Sequence, residues 1–169
     1  MSIKMHLVFI FLFFFGNTQL GFSSEILTVE KTYIKEYDTN GRLKAEGWKS
    51  MDIKIDYWTF YHQNGQVLSK GHFSNNQKHG YWYFYNDEGQ LLKEGHFENG
   101  SAEKWWIFYD IATNNKSKFQ FKNNQKNGFA LRYNKNKLVK AEEYQNGQKI
   151  DEWTSLIAFR LDNPTISLR

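Results

Sequence analysis

"HGYWYFYNDEGQLLKEGHF", residues 79–97, decides the fold. It holds five consecutive rings, Tyr81 to Tyr85. A strand sends alternate side chains to opposite faces. Trp82 and Phe84 therefore share one face, and Tyr81, Tyr83 and Tyr85 share the other. "NDEG" follows as a turn signal. "QLLKEGHFE" then reads as a second strand, so the stretch is a β-hairpin whose two faces are both aromatic.

The hairpin recurs. Tyr61, Tyr85, Tyr109 and Tyr133 are spaced by 24, and Tyr37 lies 24 before the first. Trp58, Trp82 and Trp106 keep the period, as do Gly41, Gly65 and Gly89, Gly47, Gly71 and Gly95, and Phe73, Phe97 and Phe121. One residue drops out near Lys137, after which Leu138, Tyr144 and Trp153 stand 47 residues beyond Leu91, Phe97 and Trp106. A fixed period of this length marks a repeat architecture. Short turns ("YDTNG", "HQNG", "DEG") close each hairpin, and Asn-Gly favours a two-residue loop with positive φ at both positions. "SNNQKHG", "ENGSAEK" and "KNNQKNG" join one unit to the next. Every connection is short, so successive strands pair antiparallel. The fold class is all-β: a single-layer antiparallel meander of stacked hairpins, about ten strands with no helix.

The register sorts the rings. A two-residue short loop places Trp82 opposite Gly95 and Trp58 opposite Gly71. A four-residue turn at "NNQK" places Trp82 beside Gly71 as well. A strand glycine costs stability unless something needs its space, and a cross-strand ring lying over it is a known remedy. Trp58, Phe60, Gly71, Phe73, Trp82, Phe84, Gly95, Phe97, Trp106 and Phe108 form the expected repeat core. The other face carries Tyr57, Tyr61, Tyr81, Tyr83, Tyr85, Tyr109, His72 and His96. Rings that end in hydroxyls suit a surface with one apolar side and one wet side, and these eight residues are the candidate binding site.

The ends depart from the pattern. The fourth unit has Ala130 for the repeated Trp, and the fifth has Glu142 for the strand Gly. "EILTVEKTYIKEY" alternates like a strand and caps the first unit. Residues 154–169, "TSLIAFRLDNPTISLR", are expected to cap the open edge at the far end. Residues 1–23 carry Lys4 and His6, an apolar run from Leu7 to Phe15, and small residues at Gly21 and Ser23. This is the three-part pattern of a secretory leader, and the run is too short for a transmembrane helix. Residues 24–153 are then the repeat domain of an exported protein, periplasmic or secreted.

Fifteen Phe, ten Tyr and six Trp place the chain among globular proteins, since disordered chains lack such rings. Heavy use of Asn, Lys, Phe and Ile points to AT-rich coding sequence and a bacterium. There is no Cys, which excludes disulfides, a thiol nucleophile and a lipidated cysteine. The net charge of +4 is interleaved along the chain, not the clustered patch that nucleic acid requires. His72 and His96 are repeat copies, roughly 9–10 Å apart across two strands, too far to share a metal. No nucleophile–base spacing or phosphate loop is present, so no catalytic residue, metal or cofactor is expected.

"GYWYFYNDEGQLLKEGHFENG" and "GQVLSKGHFSNNQKHGYWYFY" resemble MORN repeats of the bacterial variant type over residues 33–153. The resemblance implies a sheet of stacked hairpins used as a scaffold for protein or lipid contact. Some members are labelled antitoxins, which makes inhibition of a partner protein an alternative, although an export leader does not suit a cytosolic antitoxin. "GWKSMDIKIDYWTFYHQNG" also resembles the aromatic repeats that bind cell-wall sugars or choline, but those repeats are nearer twenty residues. The function expected is a non-catalytic exported scaffold that binds a protein, with an envelope glycan as the alternative ligand.

Overall fold

The computed structural model describes residues 30–166. The leader expected over residues 1–23 lies outside them. Eleven strands form one sheet in chain order, each antiparallel to the next. They are β1 (Thr32–Tyr37), β2 (Leu43–Ser50), β3 (Ile53–Tyr61), β4 (Val67–Ser74), β5 (Gln77–Tyr85), β6 (Leu91–Glu98), β7 (Ser101–Asp110), β8 (Asn115–Lys122), β9 (Gln125–Asn134), β10 (Lys137–Gln145) and β11 (Gln148–Trp153). The meander expected from the period is present, with one strand more than expected. A short helix, α1 (Leu156–Asp162), follows β11 where no helix was expected.

The two kinds of turn exchange the roles that the sequence suggests. Asn75-Asn76, Asn99-Gly100, Asn123-Asn124 and Asn146-Gly147 have positive φ at both residues. They are tight loops between units, of the twist that suits a hairpin. At Asn40-Gly41 and Asn64-Gly65 only the glycine has positive φ. In the third unit Asn86 N–H donates to Gln90 O (2.9 Å) and Gly89 N–H to Asn86 O (3.0 Å), a three-residue loop. The side chain at the turn start selects it. Asn86 Oδ1 accepts from Glu88 N–H (3.2 Å) and Gln90 N–H (2.8 Å), and Asp38 Oδ1 does the same for Asn40 and Arg42.

A bulge then corrects the register. Gly71 faces Trp82 but His72 faces His79, which leaves Gly80 and Tyr81 of β5 without partners on β4. The same two-residue excess occurs in β3, β7 and β9. It carries positive φ at Asp56 (53°), Gly80 (69°), Lys104 (61°) and Gly128 (98°). Two extra residues preserve which face a side chain points to, whereas one would reverse it. Trp82 thus reaches Gly71, the alignment expected from a four-residue turn, through a two-residue turn plus a two-residue bulge. β11 absorbs only one extra residue: Tyr144 faces Lys149, but Glu143 faces Asp151. Trp153 therefore lies opposite Ala141 and on the tyrosine face, although its spacing matches Trp106.

The core lies on the opposite face. Trp58 and Trp82 are fully buried and Trp106 nearly so. A Cβ added at Gly47, Gly71 or Gly95 would meet the ring of Trp58, Trp82 or Trp106 at 2.4, 2.5 and 2.3 Å. Each indole N–H donates to the next carbonyl along: Trp48 O (2.9 Å), His72 O (3.0 Å) and His96 O (3.1 Å). Those carbonyls sit where the bulge interrupts the ladder. Phenylalanines close the gaps between indoles, Phe60 and Phe73 at 6.2 and 5.1 Å from Trp82, Phe84 and Phe97 at 5.9 and 5.0 Å from Trp106. Phe108 continues the row beside Trp106. Burying such a ring contributes roughly 1.5–3 kcal/mol. In the fourth unit Phe119 fills the glycine position and faces Ala130 in the tryptophan position, so large and small exchange places.

Lysines lie over this row. Lys54 Nζ is 3.8 Å from the Trp58 ring centre, Lys78 Nζ 4.7 Å from Trp82, and Lys126 Nζ 3.9 Å from Phe119. Their ammonium groups lie over the rings, and burial lowers the pKa of Lys78 and Lys126.

Candidate functional site

The eight candidate residues all lie on the tyrosine face, and five of them fall in two rows. The first row is Tyr33, Tyr57, Tyr81, Trp105 and Phe129, spaced by 24. From Tyr57 onward these residues sit in the bulges, which re-aim side chains. Tyr33, Tyr57 and Tyr81 meet Trp48, His72 and His96 edge to face, at 5.3, 5.0 and 4.9 Å. Burial, then the Lys104 charge, lowers the His96 pKa. The second row holds Tyr61, Tyr85, Tyr109 and Tyr133 against charges of alternating sign. Tyr61 OH donates to Glu46, and Tyr109 OH to Glu94 at 2.6 Å. Lys70 Nζ lies 5.6 Å from the Tyr85 ring and 5.8 Å from Tyr83. Tyr81 and Tyr83 are themselves 5.1 Å apart.

Tyr61, Tyr81 and Tyr109 hold their protons tightly. Burial, then the hydrogen bond and charge of Glu46, pushes the Tyr61 pKa up to about 12. Burial, then Glu94, pushes Tyr81 up to about 12. Tyr109 is raised by the same causes. Hydroxyl-tipped rings thus alternate on this face with the charges of Glu46, Lys70 and Glu94. An open dip of about 280 Å³ is lined by His79, His96, Glu103 and Lys104 beside the bulges, and another of about 290 Å³ lies beside Tyr61 and His62.

α1 occupies the C-terminal end of this face. Phe159 is fully buried, 5.4 Å from Phe129 and 5.1 Å from Trp153, both edge to face. Leu131 and Ala141 complete the cluster. Trp153 Nε1–H donates to Asp162 Oδ2 at 2.7 Å, and the Ser155 side chain caps the first turn. The segment expected to cap the sheet edge therefore covers a face instead. The cause is the one-residue bulge in β11, which turns Trp153 toward the tyrosine side and gives Phe159 its seat.

The eight candidates share one face in the structure, and Tyr33, Trp105 and Phe129, which sequence reasoning left out of the set, stand in the first row with them. The 24-residue spacing of the first row was the available signal. Among the described residues no group of three His, Asp or Glu side chains is placed to hold a metal, and no helix is long and apolar enough to cross a membrane. No family model matches the chain, and none of the curated proteins matches it.

Proposed function

We propose that the protein is an exported, non-catalytic repeat scaffold of MORN type that binds a protein partner through its tyrosine face. One observation carries this reading. The chain's own α1 docks on the last member of the first aromatic row, with Phe159 seated edge-on against Phe129 and Trp153. The same row continues through Trp105, which packs against that cluster, to Tyr81, Tyr57 and Tyr33, and Tyr57 and Tyr33 stay 38% and 47% exposed. A surface that accepts an apolar helical side chain at one end is suited to accept another along its length.

The order Gly-Trp-Tyr, the Gly-closed hairpins and the period support the MORN assignment, and the leader pattern supports export. The test compares the wild-type chain with a Tyr81→Ser/Tyr83→Ser/Tyr85→Ser variant in two assays, capture of a partner from envelope extract and co-sedimentation with peptidoglycan. The expected result is a captured protein that the variant loses while its sheet circular dichroism persists. Sedimentation with glycan and no captured protein would replace this reading with that of a carbohydrate-binding module.

A further inference from the structure

The lysine-covered face carries three cation pairs, and they are not equivalent. At one end Lys49 and Lys54 face each other across β2 and β3. Both hold the Glu36 carboxylate, at 3.3 and 3.1 Å. At the other end Lys126 and Arg132 both lie over the Phe119 ring, at 3.9 and 4.5 Å. The buried Glu142 carboxylate joins Arg132 at 3.0 Å. In the middle Lys78 and Lys93 both lie over the Phe84 ring, each 5.0 Å from its centre. Among the described residues no carboxylate pairs with either of them.

We infer that Lys78 and Lys93, over Phe84, form a binding site for a carboxylate supplied from outside the chain, the acidic side chain of a peptide segment in a protein partner. The fold itself shows the chemistry. At one end Glu36 closes a lysine pair of which Lys54 lies over Trp58 and Phe60, and at the other Glu142 holds Arg132 of the pair over Phe119, whereas the middle pair has the aromatic floor and no glutamate. Ammonium groups are point charges that accept any well-placed anion oxygen. Both lysines are half-buried, so an incoming carboxylate meets them partly desolvated, where charge-assisted bonds are stronger. Burial, then the Lys93 charge, already lowers the Lys78 pKa, which a bound carboxylate would reverse. The site is on the face opposite the tyrosines and does not depend on the tyrosine-face reading.

The test titrates the full chain at low salt with N-acetylated hexaglutamate, hexaglutamine and inorganic phosphate, read by calorimetry and by the lysine side-chain NMR signals. Hexaglutamate should bind, hexaglutamine should not, and added salt should weaken the binding by screening. Lys78→Gln and Lys93→Gln should each weaken it about tenfold or more. Lys54→Gln, whose site already holds Glu36, should leave it unchanged. Should Lys78→Gln fail to fold, Lys78→Arg keeps charge and packing and should retain binding, and the Lys78 and Lys93 signals of the wild type should move while that of Lys54 does not. Equal response to hexaglutamate and hexaglutamine overturns the inference, as does wild-type affinity in both glutamine variants. Binding of phosphate but not hexaglutamate overturns it too.

Discussion

Gly71 lies under a fully buried indole, 2.5 Å from where its Cβ would be. A methyl group there has nowhere to go, because Trp82 is fixed by its N–H bond to His72 O and by rings on both sides. Gly71→Ala should therefore destabilise the protein by about 1–3 kcal/mol through overpacking, read as a fall in the urea midpoint at unchanged slope. The natural counterexample is Phe119, which fills the same position only because Ala130 makes room. Chemistry on the other face is set by single residues too. Tyr61 and Tyr81, with pKa values of about 12, keep their protons in the folded state while an unfolded tyrosine ionises near its ordinary value of 10. The native state then binds more protons between pH 10 and 12, so the stability these groups contribute is intact below pH 10 and is lost as pH rises toward 12. A phenolate absorbance titration should show these tyrosines ionising late. Glu46→Gln should bring Tyr61 part of the way back, since burial, the larger cause, remains. Ionisation of all tyrosines near pH 10 in the folded protein would contradict the geometry.

The repeating element is a strand with a two-residue bulge, and the bulge has a conformational demand. Gly80 and Gly128 meet it freely, but Asp56 and Lys104 hold positive φ with a side chain. An L-residue in that region costs about 1–2 kcal/mol. Lys104→Gly should thus stabilise the protein by about 1 kcal/mol after the entropy that glycine loses on folding, measured as a raised urea midpoint. A loss of stability would mean that the Lys104 side chain contributes more than its backbone costs. Bulges also mark the boundary of what the sequence discloses. Face, order and pairing of β3 to β8 follow from the period, because any even offset leaves them unchanged. The means by which the offset is reached do not, since a four-residue turn and a two-residue turn plus bulge predict the same neighbours. At β11 the offset is odd, so Trp153, matched to Trp106 by its 47-residue spacing, lies on the opposite face from it. The helix is likewise hidden. Ser155 and Pro164 do bracket it as a cap and a stop, but seven residues form a stable helix only when packed, and the seat that packs it exists because of the odd offset.

Among the described residues each strand is hydrogen-bonded only to its sequence neighbours, and rings reach one strand further, so cohesion passes along the row of rings as it does in other repeat arrays. Two buried aromatics at different places in that array should then fail in different ways. Trp82 sits mid-sheet and links two units through Phe60, Phe73, Phe84 and Phe97. Trp82→Ala should cost about 3–5 kcal/mol and sever the row. The two halves should melt separately, so that ring fluorescence and backbone circular dichroism no longer report one transition. Phe159 is equally buried but fastens only α1 to the end of the tyrosine face. Phe159→Ala should leave the sheet transition nearly in place and abolish hydrogen-exchange protection in residues 156–162 alone. It should also uncover Phe129 and Trp153, extending the open aromatic row toward the sheet's end. If the variant instead melts as one unit well below the wild type, the helix is part of the sheet's own cooperative structure. It would then be no model for how a partner docks, and the tyrosine face would lose the observation that most recommends it as a binding surface.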